Sequence, residues 1–309
     1  MSQQNIKKSQ RHATGMPSPV LGMALLLMCA SSLSAQASNS HGHGYSHGAT
    51  QAVQINFEGH VNGKPVDCNQ VYSGLGHPET SVRISDYRLF VSSPALVRAD
   101  GRLQPIALTQ DGKWQLDNVA LLDFENGSSA CNANGNPDLN TAIRGEVPAG
   151  DYVGLAFEVG VPFELNHGDP TLAAAPLSST AMFWNWQNGY RFVRIDMIPV
   201  DLPADGPKGW FLHLGSTQCA APSKTQAPSA CANPNRMKVT FDAFDLNKNV
   251  VVIDPAPVVA QANLRVNASG TSPGCMSFPN DADCDTVMPK LGLPYGSMPA
   301  AQQVLLSIQ

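Results

Sequence analysis

From Val53 onward the chain alternates. In VQINFEGHV, Val53, Ile55 and Phe57 fall on one side and Gln54, Asn56, Glu58 and His60 on the other, the period-two pattern of a half-buried strand. Similar short runs recur: VRISDYRLFVS, RLQPIAL, WQLDNVALLDF, DYVGLAFEVGV, AMFWNWQNGYRFVRIDMIPV, GWFLHLGS and RMKVTFDAFDL. Between them lie VNGKP, ADGR, QDGK, ENGS and VPAGD, whose Gly, Pro, Asn and Asp suit tight turns. VPAGDYVGLAFEVGV reads as a proline turn feeding a strand that starts at Tyr152. No long amphipathic helix interrupts the series, although DPAPVVAQANLRV (254–266) predicts one short helix with a proline near its start. Strands at this spacing predict an all-β fold, an antiparallel β-sandwich or barrel-like domain with long loops and one or two short helices.

The first residues fall outside the pattern. Lys7, Lys8 and Arg11 precede an apolar run at 20–28 that is too short to span a bilayer, and Ala35-Gln36-Ala37 follows. Residues 1–37 therefore read as a secretory signal peptide. Met28 stands where a small residue would precede a lipidated cysteine, which argues against an anchor at Cys29. Residues 38–52 are Gly-, Ser- and His-rich and predict a flexible tail, and 53–309 a single β-rich domain. Only 14% of the 309 residues are charged, 19 basic against 24 acidic. So few charges exclude a coiled coil and a nucleic-acid binder that works through a basic surface.

Seven cysteines shrink to six once the leader and Cys29 are set aside: Cys68, Cys131, Cys219, Cys231, Cys275 and Cys284. An even number in an exported chain points to disulfides. Close spacing favours Cys219 with Cys231 and Cys275 with Cys284, leaving Cys68 and Cys131, although sequence alone does not fix the pairing. The absence of CxxC disfavours a thiolate zinc site, and the long loops become disulfide-stapled.

Candidate chemistry is sparse. There is no GxSxG, HExxH or Gly-rich phosphate loop. Asp281-Ala-Asp283-Cys-Asp285 and Asp245-Leu-Asn247-Lys-Asn249 alternate oxygens, but each lacks the glycine and glutamate of an EF-hand loop. Histidine is more informative. His41, His43 and His47 lie in the tail, and cleavage after Ala37 makes His41 fourth rather than third, which spoils an amino-terminal copper motif. His60, His77, His167 and His213 come from separate segments of the body. Neutral imidazoles favour copper among divalent first-row ions. The densest aromatic stretch is MFWNWQNGYRF; on a continuous strand Met182, Trp184 and Trp186 would share one face.

GVPFELNHGDP, PLSSTAMFWNWQNGYRFVRID, FLHLGSTQC, CANPNRMKVTFDAFD and PGCMSFPNDADC occur in this order. Together they resemble the methanobactin-associated periplasmic protein family, also described as metallo-mystery-pair four-Cys motif proteins. The likeness runs over about 53–293. It implies a copper-binding protein in the periplasm or at the outer surface of a Gram-negative bacterium, not itself an enzyme. It also implies a partner, a di-haem cytochrome c peroxidase/MauG-like enzyme, that oxidises a tryptophan to kynurenine. Trp184 and Trp186 are the modifiable residues by this likeness, and His167 and His213, with His60 less distinctively, are the metal ligands. The four named cysteines correspond to Cys219, Cys231, Cys275 and Cys284.

Two other readings fit the residues. One is a carbohydrate- or surface-binding sandwich with Trp184 and Trp186 as a stacking platform. The other is a copper-trafficking protein that binds through its His-rich tail.

Overall fold

Two facing sheets realise this alternation in a computed structural model that describes residues 48–133, 135–203 and 206–309. The expected signal peptide, Cys29 and the tail histidines His41, His43 and His47 lie outside the described residues. The first strand, Thr50–Val61, opens ahead of the apolar alternation at Val53, because Thr50 to Ala52 already pair with Glu146 to Pro148.

In the first sheet the order is Leu306–Ile308, Val251–Ile253, Thr50–Val61, Ala142–Pro148 and Ala107–Leu108. In the second it is Met237–Phe241, Gly154–Val159, Thr80–Val97, Gly189–Pro199, Trp210–Gly215 and Gly274–Cys275. Neighbours are mostly antiparallel, with two parallel contacts: Val251–Ile253 on Thr50–Val61, and Gly274–Cys275 on Trp210–Gly215. Among the described residues neither sheet closes on itself, so the architecture is a β-sandwich rather than a barrel.

The spine of the second sheet is the 18-residue strand Thr80–Val97. It pairs with Gly154–Val159 through Val91 to Val97 and with Gly189–Pro199 through Val82 to Leu89. The strand expected to begin at Tyr152 begins at Gly154, and the Tyr152 hydroxyl instead donates to the Pro148 carbonyl at 2.6 Å across the turn. The sheets meet through apolar side chains such as Phe57 and Phe157, whose rings cross edge to face at 5.9 Å. Tyr87 spans the gap, its hydroxyl 2.8 Å from the Ile253 carbonyl and 3.0 Å from that of His60.

Two short helices occur, Phe163–Asn166 and Ala256–Val259. The helix expected over 254–266 is confined to four residues. Asp254 accepts the Ala256 N–H at its start, and the Ala262 carbonyl turns away to accept the His77 N–H at 2.8 Å. Disulfides join Cys68 to Cys131, Cys219 to Cys231 and Cys275 to Cys284. Cys219 and Cys231 stand opposite each other in a small two-stranded ribbon, Thr217–Cys219 with Cys231–Asn233. No helix among the described residues is long and apolar enough to cross a membrane.

Candidate metal centre

The face of the second sheet turned away from its partner sheet carries charge. Asp86-Tyr87-Arg88 and Arg194-Ile195-Asp196 lie on adjacent strands, so period-two geometry sends all four charged side chains to the side opposite Tyr87. The register sets Asp86 across from Asp196, Arg88 across from Arg194, and Arg194 across from His213. Arg88 clamps Asp86, with Nε donating to Oδ1 at 2.8 Å and Nη2 to Oδ2. Arg194 bridges both carboxylates. Its Nη1 is 3.1 Å from Asp86 Oδ2, while Nε and Nη2 donate to Asp196 Oδ2 at 3.0 and 2.8 Å. The remaining Asp196 oxygen lies 2.5 Å from His213 Nε2. All five side chains are buried.

Within this network two guanidiniums balance two carboxylates, which suits a neutral His213. Burial drives the His213 pKa below its ordinary value, and the hydrogen bond to Asp196 offsets only part of that. Burial penalises the Asp196 carboxylate as well, but His213 and Arg194 more than compensate and hold it below the usual range. The consistent state is a carboxylate facing an imidazole protonated at Nε2. His213 Nδ1 then carries a lone pair, and it is buried without a hydrogen-bond partner. One nitrogen tied to a carboxylate and the other left open is the pattern of a metal-ligating histidine.

Trp184 lies beside it. Its ring centroid is 6.4 Å from that of His213 and 5.5 Å from that of Phe278, and the Arg191 guanidinium sits 5.5 Å from its centre. His213 itself stacks on Phe211 at 5.5 Å. Arg191 donates to the carbonyls of Ala181 and Phe183 at 3.0 and 2.9 Å, which anchors the backbone on the N-terminal side of Trp184. Burial, with Arg194 beside it, pulls the Arg191 pKa down to about 10. Gly215 makes room for the indole, since a Cβ there would stand 2.4 Å from Trp184 Cζ3.

The aromatic segment is not one strand. It folds into a hairpin, Phe183–Asn185 returning as Gly189–Pro199. Asn185 Oδ1 accepts the Asn188 N–H at 3.0 Å, and Gly189 takes φ +75°, where a Cβ would also lie 2.3 Å from the Asn166 carbonyl. Trp186 therefore lies in the turn, and Met182, Trp184 and Trp186 do not share a strand face. The alternative reading of Trp184 and Trp186 as a stacking platform loses the shared strand face from which it started. Trp184 is walled by Gly215, Arg191 and Phe278 instead.

His167 follows the short helix Phe163–Asn166 and approaches the hairpin from its turn. Its Nδ1 is 3.1 Å from the Trp186 carbonyl, which can only accept, so Nδ1 carries the proton. Nε2 then holds a lone pair 3.1 Å from Asn166 Nδ2 and 3.6 Å from Cys231 Sγ. Burial lowers the His167 pKa, which keeps the ring neutral. His60 lies in the Thr50–Val61 strand of the first sheet, its Nε2 3.0 Å from Glu58. His60, His167 and His213 do not gather into one ligand set. Among the described residues, only His167 with Cys219 and Cys231, and Glu125 with Cys68 and Cys131, place three potential ligand atoms within 4.8 Å of one another. Asp86, Arg88, Arg194, Asp196 and Gly215 escaped sequence reasoning. The available signal was a D-x-R and an R-x-D inside otherwise apolar strands, where charges two apart must share a face.

Fold and site define a class: a disulfide-stapled β-sandwich that holds a carboxylate–histidine pair beside a tryptophan on the outer face of one sheet. The MbnP family model matches residues 50–277. MbnP from Methylosinus trichosporium superposes with a TM-score of 0.74 at 33% identity, the alignment covering 84% of this chain and 98% of that one. The chain thus belongs to the MbnP family, whose members are methanobactin-associated proteins. No curated protein sequence matches it.

Proposed function

We propose that this protein is an exported, periplasmic or surface copper-binding protein. Its site combines histidine with a tryptophan that a di-haem cytochrome c peroxidase/MauG-like partner oxidises to kynurenine. The observation that carries the reading is the open, buried Nδ1 of His213 beside Trp184. The donor chemistry fits copper. His213 offers a neutral imidazole nitrogen whose partner nitrogen Asp196 fixes.

An indole nitrogen is a poor donor because its lone pair belongs to the ring π-system. Conversion to kynurenine is a four-electron oxidation that the peroxide-consuming di-haem partner would supply; one ring carbon leaves as formate, one oxygen is gained, and an aniline nitrogen and a ketone remain at the same position. Trp184 is the residue assigned to that change, since it touches His213 whereas Trp186 sits in the turn. Copper, once bound, supplies a site for electron exchange. The chain's own part is to hold the imidazole tautomer, seat the indole against Gly215 and set Arg191 over its face. Family membership and three disulfides, which fit an oxidising compartment, support the reading.

Co-expression with the di-haem partner tests it. The peptide spanning 182–194 should gain the mass of that carbon-for-oxygen exchange, and Trp184→Phe should abolish both the gain and tight copper binding while Trp186→Phe keeps both. An unchanged peptide in the wild-type chain would remove the modification from the reading.

A further inference from the structure

We infer that His167, Cys219 and Cys231 form a second metal site, closed while the disulfide is intact and opened by its reduction, for a soft monovalent cation such as Cu(I). It does not depend on the modification of Trp184.

Three donor atoms already meet here: Cys219 Sγ, Cys231 Sγ and His167 Nε2 all lie within 4.8 Å of one another. His167 Nε2 is 3.6 Å from Cys231 Sγ. The imidazole is prepared as a ligand. Its Nδ1–H is donated to the Trp186 carbonyl, which fixes the ring and leaves the Nε2 lone pair on the side of the sulfurs. Asn166 Nδ2 donates to that nitrogen at 3.1 Å, a bond the cation displaces, and the Asn166 side chain is otherwise held by accepting the Tyr190 N–H at 2.8 Å. The sulfurs stand opposite each other across a two-stranded ribbon, so opening the bond need not carry them apart.

Access differs among the three disulfides. Cys231 is part exposed and closes a mostly exposed excursion at 220–230, whereas Cys68, Cys131, Cys275 and Cys284 are all buried. A dithiol reductant, whether a small molecule or a thioredoxin-like protein, would therefore reach Cys231 first. The exchange is balanced. The incoming thiolate attacks Cys231 Sγ, the Cys219–Cys231 bond breaks, and Cys219 leaves as a thiolate that takes a proton. The second thiol of the reductant then releases Cys231, and the reductant departs as its own disulfide, two electrons poorer. Cu(I) binding displaces the two thiol protons and yields two thiolates and one imidazole around the cation. Thiolate donors select Cu(I), whereas the imidazole site at His213 has no sulfur.

The test uses the full chain without the di-haem partner. The protein is treated anaerobically with a dithiol, desalted, and titrated with Cu(I) against a chromogenic chelator, in parallel with the oxidised protein. The reduced chain should bind one more Cu(I) than the oxidised chain, with ultraviolet thiolate-to-copper absorption and X-ray absorption showing two sulfurs and one nitrogen. Cys219→Ser with Cys231→Ser should lose that increment. His167→Gln, which leaves the disulfide in place and guards against misfolding of the serine variant, should weaken the increment at least tenfold and remove the nitrogen. Equal stoichiometry before and after reduction overturns the inference. So does an increment that survives the serine substitutions or is indifferent to His167→Gln.

Discussion

The two faces of the second sheet are both buried and chemically opposite. On the inner face Tyr87, Leu89, Val193, Ile195 and Leu212 are fully buried against the first sheet. On the outer face Asp86, Arg88, Arg194, Asp196 and His213, drawn from the same strands, are buried almost as completely. Burial alone therefore does not separate core from site. What separates them is direction: an apolar side chain needs volume filled around it, whereas each buried charge needs a particular partner at a particular angle. The inner face can repack after a conservative change. The outer face can only lose a partner and strand the other.

The sharpest break in that comparison is Asp196→Ala, which leaves Arg194 short of its main partner and His213 Nε2 without one. A loss of roughly 3–5 kcal/mol is expected from urea unfolding, against roughly 2–5 kcal/mol for Leu212→Ala on the inner face. A loss under about 1 kcal/mol at Asp196 would mean that water reaches the network. Asp196→Asn keeps the shape but not the charge, and under the proposed function should lower copper affinity by roughly 10–100-fold, as removal of an outer-shell carboxylate does. Isothermal titration of the modified protein reads it.

Gly215→Val comes next. The new side chain meets Trp184 Cζ3 and the Tyr190 carbonyl, and overpacking of this kind costs roughly 1–3 kcal/mol. Tryptophan emission should shift, and under the proposed function the yield of kynurenine at Trp184 should fall.

Asp123, across from Arg88 in register, supplies a pH signature of the charged face. Burial raises its pKa to about 7, with Arg88 pulling against that and Glu125 reinforcing it. Its folded pKa exceeds its unfolded one, so its contribution to stability is complete below about pH 4 and is lost as pH rises towards about 7. Asp123→Asn should flatten the stability curve across that window, and a slope of the same size in the variant would assign it to another group. The smallest effect is expected at the exposed pair Lys113 and Asp138, 2.6 Å apart, where Lys113→Ala should leave the melting temperature unchanged.

The sandwich was legible where local pattern and local chemistry agree. Val53, Ile55 and Phe57 alternate in sequence and are buried in the structure, and Glu58 is exposed as its place in the pattern requires. His60 breaks the pattern, polar in parity yet buried near the strand's end. The hairpin at Asn185 to Gly189 was hidden because its aromatic flanks read as one strand, and the turn depends on Asn166, remote in sequence. Likewise the D-x-R and R-x-D pairs announce a shared face but not which face it is, nor that it is covered.

By itself the sequence determined the β class, the run of strands, the candidate half-cystines and the family, because alternation, turn residues and cysteine count act over a few neighbouring residues. Only the tertiary structure decided that Asp196 fixes His213, that Trp184 rather than Trp186 adjoins it, and that His60 stands on another sheet. Those outcomes rest on register between strands far apart in the chain, and a shift of one residue would send every one of these side chains to the opposite face.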